Sequence, residues 1–177
     1  MTSLLFVPGS LREASASRAT IRALVKRLED NSATCDVADP GALPHYNADI
    51  ADHPAVAEFI NQVARADGVV FVTPEYNYSV PGVLKNAIDW ASRPAYASVF
   101  KAKPCVIVSV SGGALGGVRA QAHLKYILNG MLARVFPCQE IVVPQASQKI
   151  ADGHLQDEQI LDFAETTLTA FLAEATG

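Results

Sequence analysis

The sequence predicts an α/β protein built on a doubly wound parallel sheet. Three observations predict it. Short runs rich in Val and Ile recur along the chain and mostly lack in/out alternation, as expected of strands buried on both faces. Stretches of helical periodicity lie between them, which implies right-handed βαβ crossovers. Three of the intervening loops have unusual composition, and in open α/β sheets ligands sit beyond the carboxyl ends of the strands.

The elements follow in order. The opening Met1-Thr2-Ser3-Leu4-Leu5-Phe6-Val7-Pro8 is too short for a signal peptide, lacks its basic flank, and reads as the first strand, centred on Leu4–Val7. Ser15 or Ser17 caps a helix to about Asp30, with Ile21, Leu24, Val25 and Leu28 on one face. Thr34–Val37 is a weaker second strand. A helix follows Pro54, with Val56, Phe59, Ile60 and Val63 spaced helically. Gly68–Val72 is the third strand. A helix then starts near Pro81, a residue favoured at the first helical position, and ends near Ser92. Val106–Val110 is the fourth strand, about Val118–Leu132 a helix, Glu140–Val143 the fifth strand, and about Asp157–Ala175 the last helix. No repeat or linker interrupts this, so residues 1–177 are expected to form one domain.

Composition narrows the function classes. Half of the 177 residues are hydrophobic and 18% are charged, which excludes a disordered or fibrous chain. A net charge of -4 gives no pull toward nucleic acid or an anionic membrane, and no apolar run approaches the roughly 20 residues that span a bilayer. Cys35, Cys105 and Cys138 are odd in number and form no CxxC pair, so they read as free thiols of a cytoplasmic protein. His45, His53, His123 and His154 show no metal-binding spacing.

The loop after the first strand reads Pro8-Gly9-Ser10-Leu11-Arg12-Glu13-Ala14-Ser15-Ala16-Ser17-Arg18. Hydroxyls, a guanidinium and the free N–H groups of a helix start suit an anion such as phosphate. By itself, a Ser-rich turn before an ordinary cap would read the same way. The loop lacks the GxGxxG of dinucleotide folds and the GxxxxGK[ST] of ATPases, and the chain lacks the GxSxG of a serine hydrolase. What remains is a site for one terminal phosphate.

The loop after the third strand reads Thr73-Pro74-Glu75-Tyr76-Asn77-Tyr78-Ser79-Val80-Pro81-Gly82-Val83-Leu84-Lys85-Asn86-Ala87-Ile88-Asp89-Trp90. Two prolines stiffen a segment carrying polar and aromatic groups, which suits a flat heteroaromatic ligand. A rigid surface turn is the plainer alternative. The loop after the fourth strand, Ser109–Arg119, holds the pairs Gly112-Gly113 and Gly116-Gly117, which allow close backbone approach to a ligand or merely a flexible connection.

Together these loops resemble the NADPH-dependent FMN reductase family, which includes quinone, chromate and azo-dye reductases. The resemblance runs from about Leu4 to Val143. It rests on Gly9-Ser10-Leu11-Arg12-x-x-Ser15, on the whole Thr73–Trp90 segment, and on Gly116-Gly117-x-Arg119-Ala120-Gln121. The segment from Thr73 is the specific one. The resemblance implies a flavodoxin-like fold of five parallel strands in the order 2-1-3-4-5, with FMN held non-covalently and reduced by NAD(P)H. It implies that Ser10, Arg12, Ser15 and Ser17 surround the phosphate. Pro74, Glu75, Tyr76, Asn77 and Tyr78 would line the isoalloxazine, and Ser111, Gly112 and Gly113 would approach it from the third loop.

Two positions depart from the family pattern. Ser17 stands where Asn is common, and Ser111-Gly112-Gly113 stands where Ser-Pro-Gly is usual. The chemistry implied is hydride transfer carried by the flavin, with no catalytic side chain, from NAD(P)H to a quinone, a flavin or a similar small acceptor. An electron-transfer flavodoxin that never meets NAD(P)H is the alternative. A homodimer or homotetramer is expected. The Pro40–Pro54 loop, with Leu43, His45 and Tyr46, and the Ala91–Phe100 stretch, with Tyr96, Val99 and Phe100, are expected to expose apolar groups that a second chain covers.

Overall fold

A computed structural model describes residues 2–30 and 33–175; Met1, at the head of the expected first strand, lies outside them. Strand β1 (Ser3–Pro8) leads to helix α1 (Ala16–Asp30), then β2 (Thr34–Val37), α2 (Pro54–Arg65), β3 (Gly68–Pro74), α3 (Gly82–Ala91), β4 (Pro104–Val110) and α4 (Val118–Gly130). The chain continues through β5 (Arg134–Val135), β6 (Ile141–Val143), β7 (Ile150–Ala151), β8 (His154–Leu155) and α5 (Glu158–Ala175).

The sheet runs β2-β1-β3-β4-β5, with β6 also pairing with β4, and every pair in it is parallel. This is the flavodoxin-like order. The pleat of the central strands explains their uninterrupted hydrophobicity. Leu5, Val7, Val69, Phe71, Cys105 and Ile107 face one layer, formed by α2, α3 and α4. Leu4, Phe6, Val70, Val72, Val106 and Val108 face the other, formed by α1 and α5. Each fully buried side chain of this size contributes about 1.5–3 kcal/mol. All of β1 but Ser3 and all of β3 but Pro74 is therefore held inside, and their carboxyl ends are fixed side by side.

The expected fifth strand, Glu140–Val143, is β6, and a further two-residue strand, β5, precedes it and was not anticipated. Arg134 and Val135 pair with Pro104 and Cys105, whereas Ile141–Val143 pair with Val108–Val110. Pro137 lies in the gap and has no N–H to give the ladder. The β7–β8 hairpin was not anticipated. It turns through Asp152-Gly153, both at positive φ (50° and 74°), a pairing typical of two-residue hairpin turns.

Helix limits agree with the sequence reading to within a residue or two. Of the two serines offered as a cap, Ser15 does the capping: its Oγ accepts from Arg18 N at 3.2 Å. Pro81 sits just before α3 as its cap residue rather than inside its first turn.

The two segments expected to expose apolar groups mostly do not. Leu43 and Phe100 are buried in the α2/α3 core layer, and Val99 packs against it. Tyr46 meets Trp90 edge-on at 5.0 Å between centroids. Pro44 O accepts from both Asn86 Nδ2 and Trp90 Nε1, which pulls the loop down onto α3. Of the residues singled out, only His45 and Tyr96 are exposed.

Candidate functional site

Parallel strands deliver their following loops to one edge of the sheet, and the strand order reverses between β1 and β3. The loops after β1, β3 and β4 meet there around a cleft of about 150 Å³. Ser10, Arg12, Ser15 and Ser17 line it from the first loop and the start of α1. Pro74, Glu75 and Tyr76 line it from the second, and Ser111 and Gly112 from the third. Nine of the twelve residues named from the sequence thus stand together. Ala16 and Val110 complete the wall; both are apolar and carried no signal in the sequence.

The other three stand apart from the cleft wall. Asn77 and Tyr78 form the exposed tip of a two-residue turn, and Gly113 lies one residue beyond the wall. A larger cleft of about 560 Å³ lies elsewhere, between α5 and the sheet edge at β6, and includes none of the twelve.

The first loop is shaped for an anion. Ser10, Ser15 and Ser17 are each about 2% exposed or less. Ser10 Oγ lies 3.4 Å from Tyr76 Oη, and Ser15 Oγ is occupied as the α1 cap. Ser17 Oγ is buried and has no hydrogen-bond partner among the described residues. A buried hydroxyl without a partner costs about 1–3 kcal/mol, so a polar group entering the cleft would relieve a real penalty. Arg12 is exposed and lines the cleft, and the first-turn amides of α1 add their positive end. These residues fit a phosphate ester.

The second loop is held against the first by close approach at Gly9. Gly9 N donates to Val72 O at 2.8 Å, and a Cβ there would fall 2.9 Å from Thr73 Cα. Beyond Pro74, Tyr76 and Ser79 exchange backbone hydrogen bonds of 3.0 and 3.1 Å. Both residues between them are left-handed, Asn77 at φ 49° and Tyr78 at φ 67°. Asn tolerates this; for Tyr it is strain on the order of 1–3 kcal/mol.

In the third loop the two glycine pairs differ. Gly116 (φ 61°) and Gly117 (φ 89°) are structural, since a Cβ on Gly116 would collide with Val142 Cγ1 at 2.0 Å. Gly112 and Gly113 need no such freedom. A Cβ on Gly112 would meet nothing within 4 Å, so this stretch presents bare backbone beside the cleft. Without the proline usual in the family, the loop is braced instead by Ser111 N donating to Val143 O (3.0 Å) and Gly113 N to Ser111 Oγ (3.1 Å).

Sequence reasoning missed Arg119. Its Nη1 and its backbone N each donate to the Glu75 carboxylate at 3.1 Å, and its guanidinium lies 4.6 Å from the centre of the Tyr78 ring. Glu75 therefore points one side at the cleft and spends its charge on the start of α4. Two residues further on, Gln121 Nε2 donates to Ser109 Oγ (2.9 Å) and Ile141 O (2.8 Å), tying β4 to β6. The motif containing both residues was visible; their partners, far off in sequence, were not.

No thiol is poised for chemistry. Burial pushes Cys35 and Cys105 up to about 12, and Cys138 is raised for the same reason. All three are free thiols. Among the described residues, no helix is long and apolar enough to cross a membrane.

Comparison with known proteins identifies the family of this chain. The family model described as NADPH-dependent FMN reductase matches residues 2–148. A 2-hydroxy-1,4-benzoquinone reductase from Burkholderia sp is 39% identical over 170 residues, covering 94% of this chain and 92% of that one. An NAD(P)H-dependent FMN reductase from Pseudomonas aeruginosa is 37% identical over 171 residues, covering 94% and 91%. Among solved structures, the flavoenzyme FerB from Paracoccus denitrificans, an NAD(P)H:(acceptor) oxidoreductase, superposes with a TM-score of 0.88 at 33% identity, covering 99% and 98%. The chain belongs to the NADPH-dependent FMN reductase family.

Proposed function

We propose that this oxidoreductase, acting with FMN and NAD(P)H, binds FMN in the cleft between the loops after β1, β3 and β4 and reduces quinones, flavins or similar small acceptors. FMN, when bound, supplies the hydride chemistry between the nicotinamide and the acceptor. The single observation that carries the placement is the unpartnered, buried Ser17 Oγ at the start of α1, beside Ser10, Ser15 and Arg12.

In this reading the four residues hold the phosphate, with Ser15 donating its hydroxyl proton while its oxygen still caps α1. Pro74, Glu75 and Tyr76 fix one border of the ring, with Asn77 and Tyr78 at its rim. Ser111, Gly112 and Gly113 offer backbone along another border. No side chain is assigned a proton transfer. Donor and acceptor use the same open side in turn, so the oxidised nucleotide leaves before the acceptor binds. We further read residues 1–177 as one domain of a cytoplasmic homodimer or homotetramer with no nucleic-acid or membrane partner. The mild net charge of -4 and the exposed Tyr78, Tyr96 and Tyr126 support that reading.

Steady-state oxidation of NADH and NADPH by the FMN-loaded protein, with benzoquinone varied, tests it. Parallel double-reciprocal lines are expected. Intersecting lines would mean both substrates bind at once. Retained FMN without nucleotide oxidation would make the protein an electron-transfer flavodoxin.

A further inference from the structure

The motif Gly116-Gly117-x-Arg119-Ala120-Gln121 supplies nothing to the cleft wall, yet its arginine bonds Glu75 and stacks on Tyr78 behind that wall. We propose that Arg119 is a positioning residue: it clamps the strained Tyr76–Ser79 turn and so sets how tightly, and in what asymmetric environment, the flavin is held. The inference rests on the FMN reading above.

The argument starts from the turn. Two adjacent non-glycine residues in the left-handed region do not hold that shape unaided, and Tyr78 is a poor candidate for it. Something must over-determine the turn, and the groups that do so come from α4. Arg119 grips it at two points, the Glu75 carboxylate before the turn and the Tyr78 ring at its tip. One helical turn on, His123 Nδ1 stands 2.9 Å from Ser79 Oγ and ties down the far strand of the turn. From the turn, Tyr76 reaches across the cleft to Ser10 in the phosphate loop.

Arg119 itself does not line the cleft and acts on it through Glu75 and the turn. Its charge is already matched by Glu75, which is 13% exposed, so it is not a spare phosphate ligand. The task needs a planar fork that bonds a carboxylate while stacking on a ring. A lysine can do only the first.

The test is FMN titration of the apoprotein, read by the visible circular dichroism of bound flavin, alongside thermal melting of the apoprotein. Arg119→Ala should raise the FMN Kd about fivefold or more, the low end of ordinary coupling between sites. It should also weaken the flavin dichroism while leaving apoprotein melting unchanged. Arg119→Lys should recover only part of the affinity. In a Tyr78→Gly background, where the turn is unstrained, adding Arg119→Ala should cost less than it does in the parent. Unchanged Kd and dichroism in Arg119→Ala overturn the proposal. So does a fall in apoprotein melting that tracks the loss of affinity in both the Ala and Lys variants, since that marks a merely structural residue. A parent protein that takes up no FMN defeats the cofactor reading itself, a result distinct from either.

Discussion

Gly9 and Thr73 approach so closely that a Cβ on Gly9 would lie 2.7 Å from Thr73 Oγ1 and 2.9 Å from Thr73 Cα. The obstacle is partly backbone, which cannot rotate aside, and Pro74 Cδ blocks the same space at 2.9 Å. Gly9→Ala should therefore push the phosphate loop away from the ring loop. It is expected to cost about 1–3 kcal/mol of stability, as overpacking does, and to weaken FMN binding with it. Thermal melting and FMN titration check both. A variant as stable and as tight as the parent would mean that the two loops can part without consequence.

Arg12 and Ser17 should respond with different signatures. Arg12→Ala removes a charge-assisted contact, expected to be worth about 1.5–3 kcal/mol of FMN affinity, and should leave the apoprotein's stability alone because the residue is exposed. Ser17→Ala removes a hydroxyl that is buried without a partner. The apoprotein should be as stable as the parent or more so, while FMN binding weakens. If Ser17→Ala loses apoprotein stability and keeps its FMN affinity, the hydroxyl serves the fold and not the phosphate.

The pH dependence of stability has a marker in Asp157. Its carboxyl is held below the usual carboxylate range, first by the hydrogen bond from Lys149 (2.8 Å) and then by Ile160 N (3.1 Å) at the start of α5. A depressed pKa means that the ionised form is favoured in the folded state. The stabilisation is present above the unfolded value of about 4 and fades as the pH falls below it. Asp157→Ala should lower the melting temperature at pH 7 by an amount matching about 0.5–2 kcal/mol, the usual cost of losing a cap. The gap between variant and parent should close in acid. A gap independent of pH would assign the effect to packing.

The assembly state is open to direct measurement. Light scattering at micromolar concentration should give at least a dimer for the FMN-loaded protein. A stable and fully active monomer would rule out a flavin site completed by a second chain. Of the two stretches first expected to meet a second chain, Leu43, Val99 and Phe100 pack into the protomer's own core, while His45 and Tyr96 stay exposed.

What could be read in the sequence follows from the range of the forces involved. Strands β1, β3 and β4 were legible because burial on both faces leaves them as nearly unbroken hydrophobic runs. The α1 start was legible because caps are local, although Ser15 and Ser17 could not be told apart until the Arg18 amide was placed. The three cleft loops were legible because topology puts them at one edge, and the individual residues came from the resemblance to the family. Strand β5 was hidden, since two strand residues ahead of a proline carry little pattern. The Asp152-Gly153 turn was there to be noticed, but with two-residue strands on either side it lacked the alternating flanks that mark a hairpin. Arg119 was out of reach for another reason: its partner Glu75 is 44 positions away, and no local pattern encodes such a pair.

The broken last strand has a consequence for the life of the protein in a crowded cell. A sheet this rich in valine would, with long straight margins, invite strands of neighbouring molecules to add on. Here one margin offers two residues, a proline-containing break and three more residues, and the other margin is the four-residue β2. Neither is long enough to template a foreign strand. The fold keeps its stickiest segments in the centre, and the interrupted border acts as a guard against aggregation.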